Sequence, residues 1–349
     1  MNNEIVLLID KLAENNSLTK NEYYSLLLNI GSEETDYLAD KARKVREMHY
    51  GKKVFIRGLI EISNICKNDC YYCGIRRGNT NCERYRLNKS EILECCKEGY
   101  ELGFRTFVMQ GGEDAYFTDE VLVDIISSIK SNWPDCAVTL SLGERSKESY
   151  RRLYEAGADR YLLRHETANK EHYKRLHPRE LKWENRMECL KWLRECGYQV
   201  GCGFMVGSPY QTLEMIANEL KFIEEFKPDM CGIGPFIPHK DTKFWNEKAG
   251  DVNLTCILLS IIRLIHPTIL LPATTALGTM SENGREKGIL SGANVVMPNL
   301  SPSSVRRKYM LYDNKLSDGA ESAQAKKSLE TRINSIGYCV VVDRGDVKK

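Results

Sequence analysis

Residues 89–112 read Lys-Ser-Glu-Ile-Leu-Glu-Cys-Cys-Lys-Glu-Gly-Tyr-Glu-Leu-Gly-Phe-Arg-Thr-Phe-Val-Met-Gln-Gly-Gly. An amphipathic helical pattern ends at Leu102-Gly103, a β-rich apolar run follows at 106–110, and two glycines close the unit. The same punctuation recurs at Ala156-Gly157, Cys196-Gly197 and Ser291-Gly292, each just ahead of another β-rich run. Working outward, strands are expected at 54–63, 106–110, 137–142, 160–164, 199–206, 230–236, 269–272 and 293–297. Helical patterns at 89–103, 120–132, 147–157, 184–197, 212–226 and 253–265 alternate with them. This rhythm predicts an α/β fold, a (β/α)8 TIM barrel, and 54–299 is about the 250 residues such a barrel takes. A doubly wound open sheet shares the pattern, because strand count alone does not prove closure.

Residues ahead of the barrel read as helices. Ile5, Leu8, Ile9 and Leu12 recur on one helical face, and a Thr19-x-x-Glu22 capping box opens a second run that Gly31 is expected to end. A mixed-charge helical stretch spans 33–49. The expected organisation is an N-terminal helical segment at 1–51, the barrel at 52–312 and a C-terminal tail at 313–349, polar and then briefly β-prone at 338–342.

The 349 residues carry 50 Lys and Arg against 48 Asp and Glu, a net charge of +2, so no global charge attracts nucleic acid or an anionic membrane. Charge or Gly breaks every apolar run before the roughly 18–20 residues a membrane span needs. The N-terminal Met-Asn-Asn-Glu lacks the basic n-region of a secretory signal, so a reducing cytoplasm is the expected location. There, 13 cysteines, an odd number, point to metal chemistry before disulfides.

In the barrel reading, ligands gather at strand C-termini. Directly after the first strand stands Cys66-Lys-Asn-Asp-Cys70-Tyr-Tyr-Cys73. Three close thiolates suit a 4Fe-4S cluster that leaves one iron open. Structural zinc is the bland alternative, but it takes four ligands and no partner pair follows at finger spacing. Cys95, Cys96, Cys136, Cys189, Cys196, Cys202, Cys231 and Cys256 read as small buried hydrophobes. Arg76, Arg77, Arg84 and Arg86 read as a solvated loop, and His165 and His239, at strand ends, stand between site and structural roles.

The Cys triplet, with Tyr72 before its last Cys and Gly111-Gly112-Glu113 after the second strand, resembles the radical S-adenosylmethionine (SAM) superfamily. Longer segments resemble one family within it, the iron-iron (FeFe) hydrogenase maturation proteins HydE. They include Arg84-Tyr-Arg86, the run from Glu155 to Asn169, Gly232-Ile-Gly-Pro-Phe-Ile-Pro-His239, Pro272-Ala-Thr-Thr-Ala276 and Ala293-Asn-Val-Val-Met-Pro-Asn299. The resemblance implies a cytoplasmic, anaerobic enzyme. It would cleave SAM reductively at a 4Fe-4S cluster, and the resulting 5′-deoxyadenosyl radical would act on a small iron-carbonyl-cyanide-cysteine precursor. Implied partners are the maturases HydG and HydF and a reductant such as ferredoxin or flavodoxin, with neither nucleic acid nor membrane.

By the same resemblance, Cys66, Cys70 and Cys73 hold the cluster. Tyr72, Gln110, Gly111, Gly112, Glu113, Ser141, Glu166, Arg186 and Met205 line the SAM site, with Gln110 also facing substrate. Glu166 suits ribose hydroxyls and Arg186 the SAM carboxylate; an ordinary ion pair within the barrel mouth is the alternative for both. Arg164, Thr274, Thr275, Tyr309 and Tyr312 face the substrate, although the Thr pair could merely cap a turn. Some family members hold an auxiliary cluster through a second Cys group, where this chain reads Ser317 to Ser328 with no Cys between Cys256 and Cys339. One cluster is therefore expected. Methylornithine synthase, which resembles the same barrel, and a non-catalytic iron-sulfur carrier are the competing functions.

Overall fold

In the computed structural model, which describes residues 2–317, 319 and 322–348, the run 54–63 forms two strands rather than one. Strand β1 (Lys53–Ile56) and strand β2 (Gly58–Ser63) are separated at Arg57, whose Nη1 lies 2.9 Å from Met230 Sδ across the barrel interior. From β2 the sheet runs in parallel through β3 (Thr106–Gly111), β4 (Ala137–Ser141), β5 (Arg160–Leu162), β6 (Gln199–Cys202) and, beyond β7 (Met205–Val206), β8 (Met230–Cys231). Strands β7 and β9 (Gly234–Pro235) extend the β6–β8 pair.

Closure follows from the remaining pairings. Met230 bridges Leu270, Pro272 bridges Val295, β10 (Val295–Val296) pairs with β1, and Leu59 bridges Asn299. Eight parallel strand positions thus form a ring, which decides for the barrel over the open sheet. The run at 269–272 contributes only isolated bridges.

The helices fall between the strands as the periodicity predicts, for example Lys89–Glu101, Lys147–Glu155, Trp183–Glu195 and Val252–Ile265. Gly103, Gly157, Gly197 and Gly292 all take positive φ, from 89° to 111°, so the helix-ending glycines turn the chain where a Cβ is strained. Gly31 differs from expectation. Its φ is −93°, and it stands before the helix Ser32–Tyr50, its N–H donated to Glu34 Oε2 at 3.0 Å, instead of ending the helix before it. The capping box at Thr19 and Glu22 is formed.

Helix Val252–Ile265 is buried over most of its surface because the N-terminal helices cover the side that faces away from the barrel. Asn16 donates to Leu264 O, and Tyr23 OH donates to Glu224 on the neighbouring helix Leu213–Phe226. No described helix is long and apolar enough to cross a membrane.

The tail is built into the barrel. After helix Lys326–Ser335, strand β11 (Cys339–Val341) pairs in parallel with β1, beside the end of β1 where β3 does not reach. Residues 343–348 then cross the N-terminal end of the barrel. There the carbonyl of Arg344 accepts from Thr106 Oγ1 (2.8 Å) and Arg160 Nη2 (2.9 Å), and Asp346 pairs with Arg160. The site residues lie at the opposite end.

Candidate active site

The cysteine loop leaves β2 and is held by backbone carbonyls turned toward one side chain. Arg84 donates to the carbonyls of Asn64 (2.6 Å), Ile75 (2.8 Å), Arg76 (2.6 Å) and Asn79 (3.0 Å). A guanidinium with five fixed donors suits this task. Arg86 forms a two-pronged pair with Asp114 at 2.7 and 2.8 Å, and Ser63 Oγ donates to the same carboxylate. Arg84 and Arg86 are therefore clamps for the loop, not the solvated pair expected from sequence. Charge spacing cannot reveal the role of Arg84, because its acceptors are carbonyls.

The Gly111-Gly112-Glu113 segment closes on this loop. A Cβ at Gly112 would lie 2.2 Å from Ile65 O and 2.8 Å from Cys66 Cβ, so only glycine lets the end of β3 come this close. The Glu113 N–H points to Cys66 Sγ at 3.4 Å, while its carboxylate meets the Glu144 N–H and Lys67 Nζ, each at 3.1 Å. Cys66, Cys70 and Cys73 are free thiols. Burial, then the neighbouring thiols, pushes Cys70 well above its ordinary value, and burial with the charge of Cys66 pushes Cys73 up to about 12. They are close enough to repel as thiolates, and a bound cationic iron group removes that repulsion. Among the described residues, no three His, Cys, Asp or Glu side chains gather to chelate a single ion.

Beyond β5 the backbone is strained. Glu166 holds φ at 65°, uncommon for a residue with a side chain, and its N–H donates to Gly203 O at 3.0 Å. Glu219, fully buried on helix Leu213–Phe226, fixes this turn from behind. It accepts from His165 Nε2 (2.8 Å), Thr167 Oγ1 (2.9 Å) and the Ala168 N–H (2.7 Å). His165 Nδ1 accepts from the Gly203 N–H, so Nε2 carries the proton. His165 thus faces away from the mouth and is structural. His239 instead lies against the cysteine loop: a Cβ at Gly74 would lie 2.4 Å from its Cδ2.

What this strain presents is a set of buried polar atoms without hydrogen bonds. They are Glu166 Oε2, Arg164 Nε and Nη2, Thr274 Oγ1 and Tyr173 OH. Arg164 Nη2 stands 3.3 Å from Glu166 Oε2 but off hydrogen-bond geometry. Buried polar groups without a hydrogen bond are uncommon in folded proteins, and a ligand or a water supplies the missing bond. Together they supply donors and an acceptor of the kind that ribose hydroxyls and an amino-acid carboxylate need. The residues present therefore fit both the cluster and SAM.

Arg186 pairs with Glu144 (2.5 Å) and donates to Arg164 O (2.9 Å), while Glu166 stands beside Arg164, so each is already within ion-pair distance of a partner. Tyr173 was missed from sequence, where it is one aromatic on an amphipathic helix. It stacks on His177 at 3.9 Å, and His177 Nε2 lies 3.2 Å from Tyr72 OH. His177 Nδ1 faces the Tyr173 carbonyl, so Nδ1 donates and Nε2 accepts from Tyr72. Met205 packs with Leu176, Phe236 and Phe244, with Tyr71 and Tyr72 against them.

Deeper in the barrel, Glu61, Gln110 and Ser141 lie in register on β2, β3 and β4. Gln110 Nε2 lies 3.4 Å from Tyr309 OH. Glu61, fully buried, accepts from Lys315 Nζ (2.7 Å) and Asn299 Nδ2 (2.9 Å). Both Glu61 and Lys315 escaped the sequence reading, since only the fold returns Lys315 to the first strand. The bond from the Gly74 N–H to Leu311 O ties the segment carrying Tyr309 and half-buried Tyr312 to the cysteine loop. Thr274 and Thr275 part company: Thr275 Oγ1 accepts from Arg285 at 3.4 Å, whereas Thr274 precedes helix Thr275–Met280 without a side-chain cap bond.

Two expected results follow from this geometry. Glu219→Gln sets an amide donor against one of three buried donors and should cost about 2–4 kcal/mol in urea unfolding. It should also weaken SAM binding on the order of tenfold, by about 1.4 kcal/mol; unchanged SAM affinity would make Glu219 purely structural. His177 supplies the pH dependence. Burial and the Arg186 charge hold its pKa down to about 3 from 6.5. Neutral His177 thus contributes stability that is complete above pH 6.5 and lost as pH falls toward 3. Unfolding free energies across that window should decline, and His177→Gln should flatten the decline.

Residues 60–223 match the family model of the Radical SAM superfamily. Over 275 residues the chain is 47% identical to the [FeFe] hydrogenase maturase subunit HydE of Thermotoga maritima, covering 79% of this chain and 78% of that one. The chain belongs to the HydE family. It is also 28% identical to the 3-methylornithine synthase of Methanosarcina acetivorans, over 94% of this chain and 92% of that one. The crystal structure of methylornithine synthase (PylB) superposes with a TM-score of 0.84 at 27% identity, covering 96% of this chain and 97% of that chain. Membership makes this HydE-family chain a radical SAM enzyme, a class that works with a 4Fe-4S cluster and SAM. The expected fold, enzyme class and cofactors hold.

Proposed function

We propose that this HydE-family chain cleaves SAM at a cluster held by Cys66, Cys70 and Cys73 and directs the radical to a small iron-carbonyl-cyanide-cysteine precursor during hydrogenase maturation. When bound, the cluster supplies one electron to the SAM sulfonium, releasing methionine and a 5′-deoxyadenosyl radical. The chain's own residues bind and orient. Glu166 accepts from the ribose hydroxyls, Arg186 faces the SAM carboxylate from its place beside Glu144, and Gly111, Gly112 and Glu113 bring backbone to the SAM amino group. Tyr72, Ser141 and Met205 complete the SAM walls. Gln110, Arg164, Thr274, Tyr309 and Tyr312 face the precursor, with the Arg164 guanidinium matching an anionic complex. Thr275, held by Arg285, shapes the Thr274 turn.

The observation that carries this reading is the set of buried polar atoms on Glu166, Arg164, Thr274 and Tyr173 that make no hydrogen bond, at the barrel end that also carries the three free thiols. The maturase works in the cytoplasm with HydG and HydF and takes its electron from a ferredoxin or flavodoxin. Its test is hydrogenase activation in a cell lacking the native maturase, with a methylornithine synthase gene as control. Activation by this gene alone supports the reading; lysine turnover by the purified enzyme overturns it in favour of the mutase.

Reconstituted, desalted protein should hold about four irons per chain, as one 4Fe-4S cluster requires. Iron near six or eight would refute the single-cluster reading. Asp318, Ala320 and Glu321, within the segment that replaces the auxiliary-cluster cysteines, lie outside the described residues.

A further inference from the structure

The reaction proposed above consumes one electron for each SAM cleaved, and in the single-cluster reading that electron comes from outside the chain. A reduced carrier must therefore approach the cysteine loop from outside. A cavity of about 430 Å³ opens between helix Lys170–Leu176 and the start of helix Trp183–Glu195. Lys170, Lys174, Arg179 and Lys182 line it against one carboxylate, Glu184. Lys170 pairs with Glu184 and Lys174 with Glu171, so the uncompensated positive charge at the cavity is that of Arg179 and Lys182. Arg179 and Lys182 are exposed, and among the described residues neither has an ion-pair partner.

The position matters as much as the charge. His177 forms part of the cavity wall and is itself buried. Its other side meets Tyr72 OH, and Tyr72 lies between Cys70 and Cys73. The backbone joins the same two segments, since the Tyr71 N–H donates to Leu176 O at 3.0 Å. Two aromatic side chains thus separate the basic cavity from the thiol loop. The pocket also avoids the Arg164, Glu166 and Thr274 groups assigned to SAM and precursor.

We propose that this cavity is the docking site of an acidic one-electron carrier protein, which delivers its electron toward the cysteine loop across His177 and Tyr72. The proposal rests on the radical SAM reading above and names its electron entry. One electron leaves the carrier, which is oxidised by one unit, and the iron-sulfur group held by the loop is reduced by one unit. No bond forms or breaks in that transfer. Charge complementarity of this kind sets encounter rate and orientation and weakens with salt.

The test uses reconstituted holoenzyme and the charge-reversed double variant Arg179→Glu/Lys182→Glu, with a reduced flavodoxin as the probe. Carrier affinity is measured at low and high salt, and 5′-deoxyadenosine formation is compared with flavodoxin and with dithionite as reductant. The variant should bind flavodoxin on the order of tenfold more weakly at low salt, with the gap closing at high salt. Its flavodoxin-driven turnover should fall while its dithionite-driven turnover stays at the parent level. Equal affinity and equal flavodoxin-driven turnover in parent and variant overturn the proposal. So does loss of inorganic phosphate binding with carrier binding intact, which would assign the cavity to a small anion. Absence of dithionite-driven cleavage in the parent refutes the enzymatic reading instead, and the binding measurement still decides the docking site.

Discussion

Cys70→Ala should abolish SAM cleavage while the chain stays folded. Cys70 is a free thiol, and the backbone bond it shares, from the Cys73 N–H to its carbonyl, does not need the side chain. The loop around it is held by Arg84, Asn64 and Arg86, none of which bonds to the thiol. Burial and like charges keep that thiol protonated in the empty protein, so its removal takes away no folded-state ion pair. Two thiolates do not hold a cubane that requires three protein ligands and one open iron. Iron should fall from about four per chain to well below one, and 5′-deoxyadenosine by on the order of a thousandfold or more, as expected when a site loses its electron source. Thermal unfolding of the two empty proteins should coincide. Persistent cleavage in the variant refutes the cluster assignment.

Deleting residues 343–349 produces the largest loss of stability. Arg160 is fully buried and donates to Thr106 Oγ1, Arg344 O and Asp346; Arg57, also buried, reaches Gly345 O at 3.4 Å. Burial lowers the pKa of both guanidiniums, and the Asp346 charge acts in the opposite direction. Removing the tail takes the Asp346 carboxylate and two backbone carbonyls from two buried cations, leaving Arg160 with Thr106 and Gln199 and Arg57 with Met230. Breaking one buried charged pair costs about 3–5 kcal/mol, and water entering the opened barrel end offsets part of a second loss. The deletion should therefore lower stability by about 3–5 kcal/mol, or roughly 5–15 °C in Tm. Cluster binding at the opposite end should survive wherever the protein remains folded. An unchanged Tm would show that Arg57 and Arg160 find water when the tail leaves.

These two predictions differ in how far sequence could reach them. The cysteine loop was legible because its chemistry is local: three thiols within eight residues and a glycine pair at the next strand end need no tertiary information to be recognised. The strand-ending glycines were legible for the same reason, since a positive φ is a local demand met most cheaply by glycine. Arg84 was misread, although it lies close in sequence, because it binds carbonyl groups that every residue carries. Glu219 and Lys315 were invisible. Each is an ordinary charged residue on a segment far from the group it serves, and only the closed barrel brings Lys315 to Glu61 or Glu219 behind His165. The break at Arg57 was hidden too, because an apolar run gives no sign that one side chain within it must turn toward Met230.

The sequence by itself determined the βα rhythm, the cysteine loop and its family, because periodicity, glycine conformation and thiol spacing are properties of neighbouring residues. Tertiary structure alone decided that the strands close into a ring, that the tail seals one end, and that buried polar atoms of Glu166, Arg164, Thr274 and Tyr173 make no hydrogen bond at the other. Those outcomes depend on which distant groups become buried together, and the cost of an unpaired buried polar group exists only once water has been excluded.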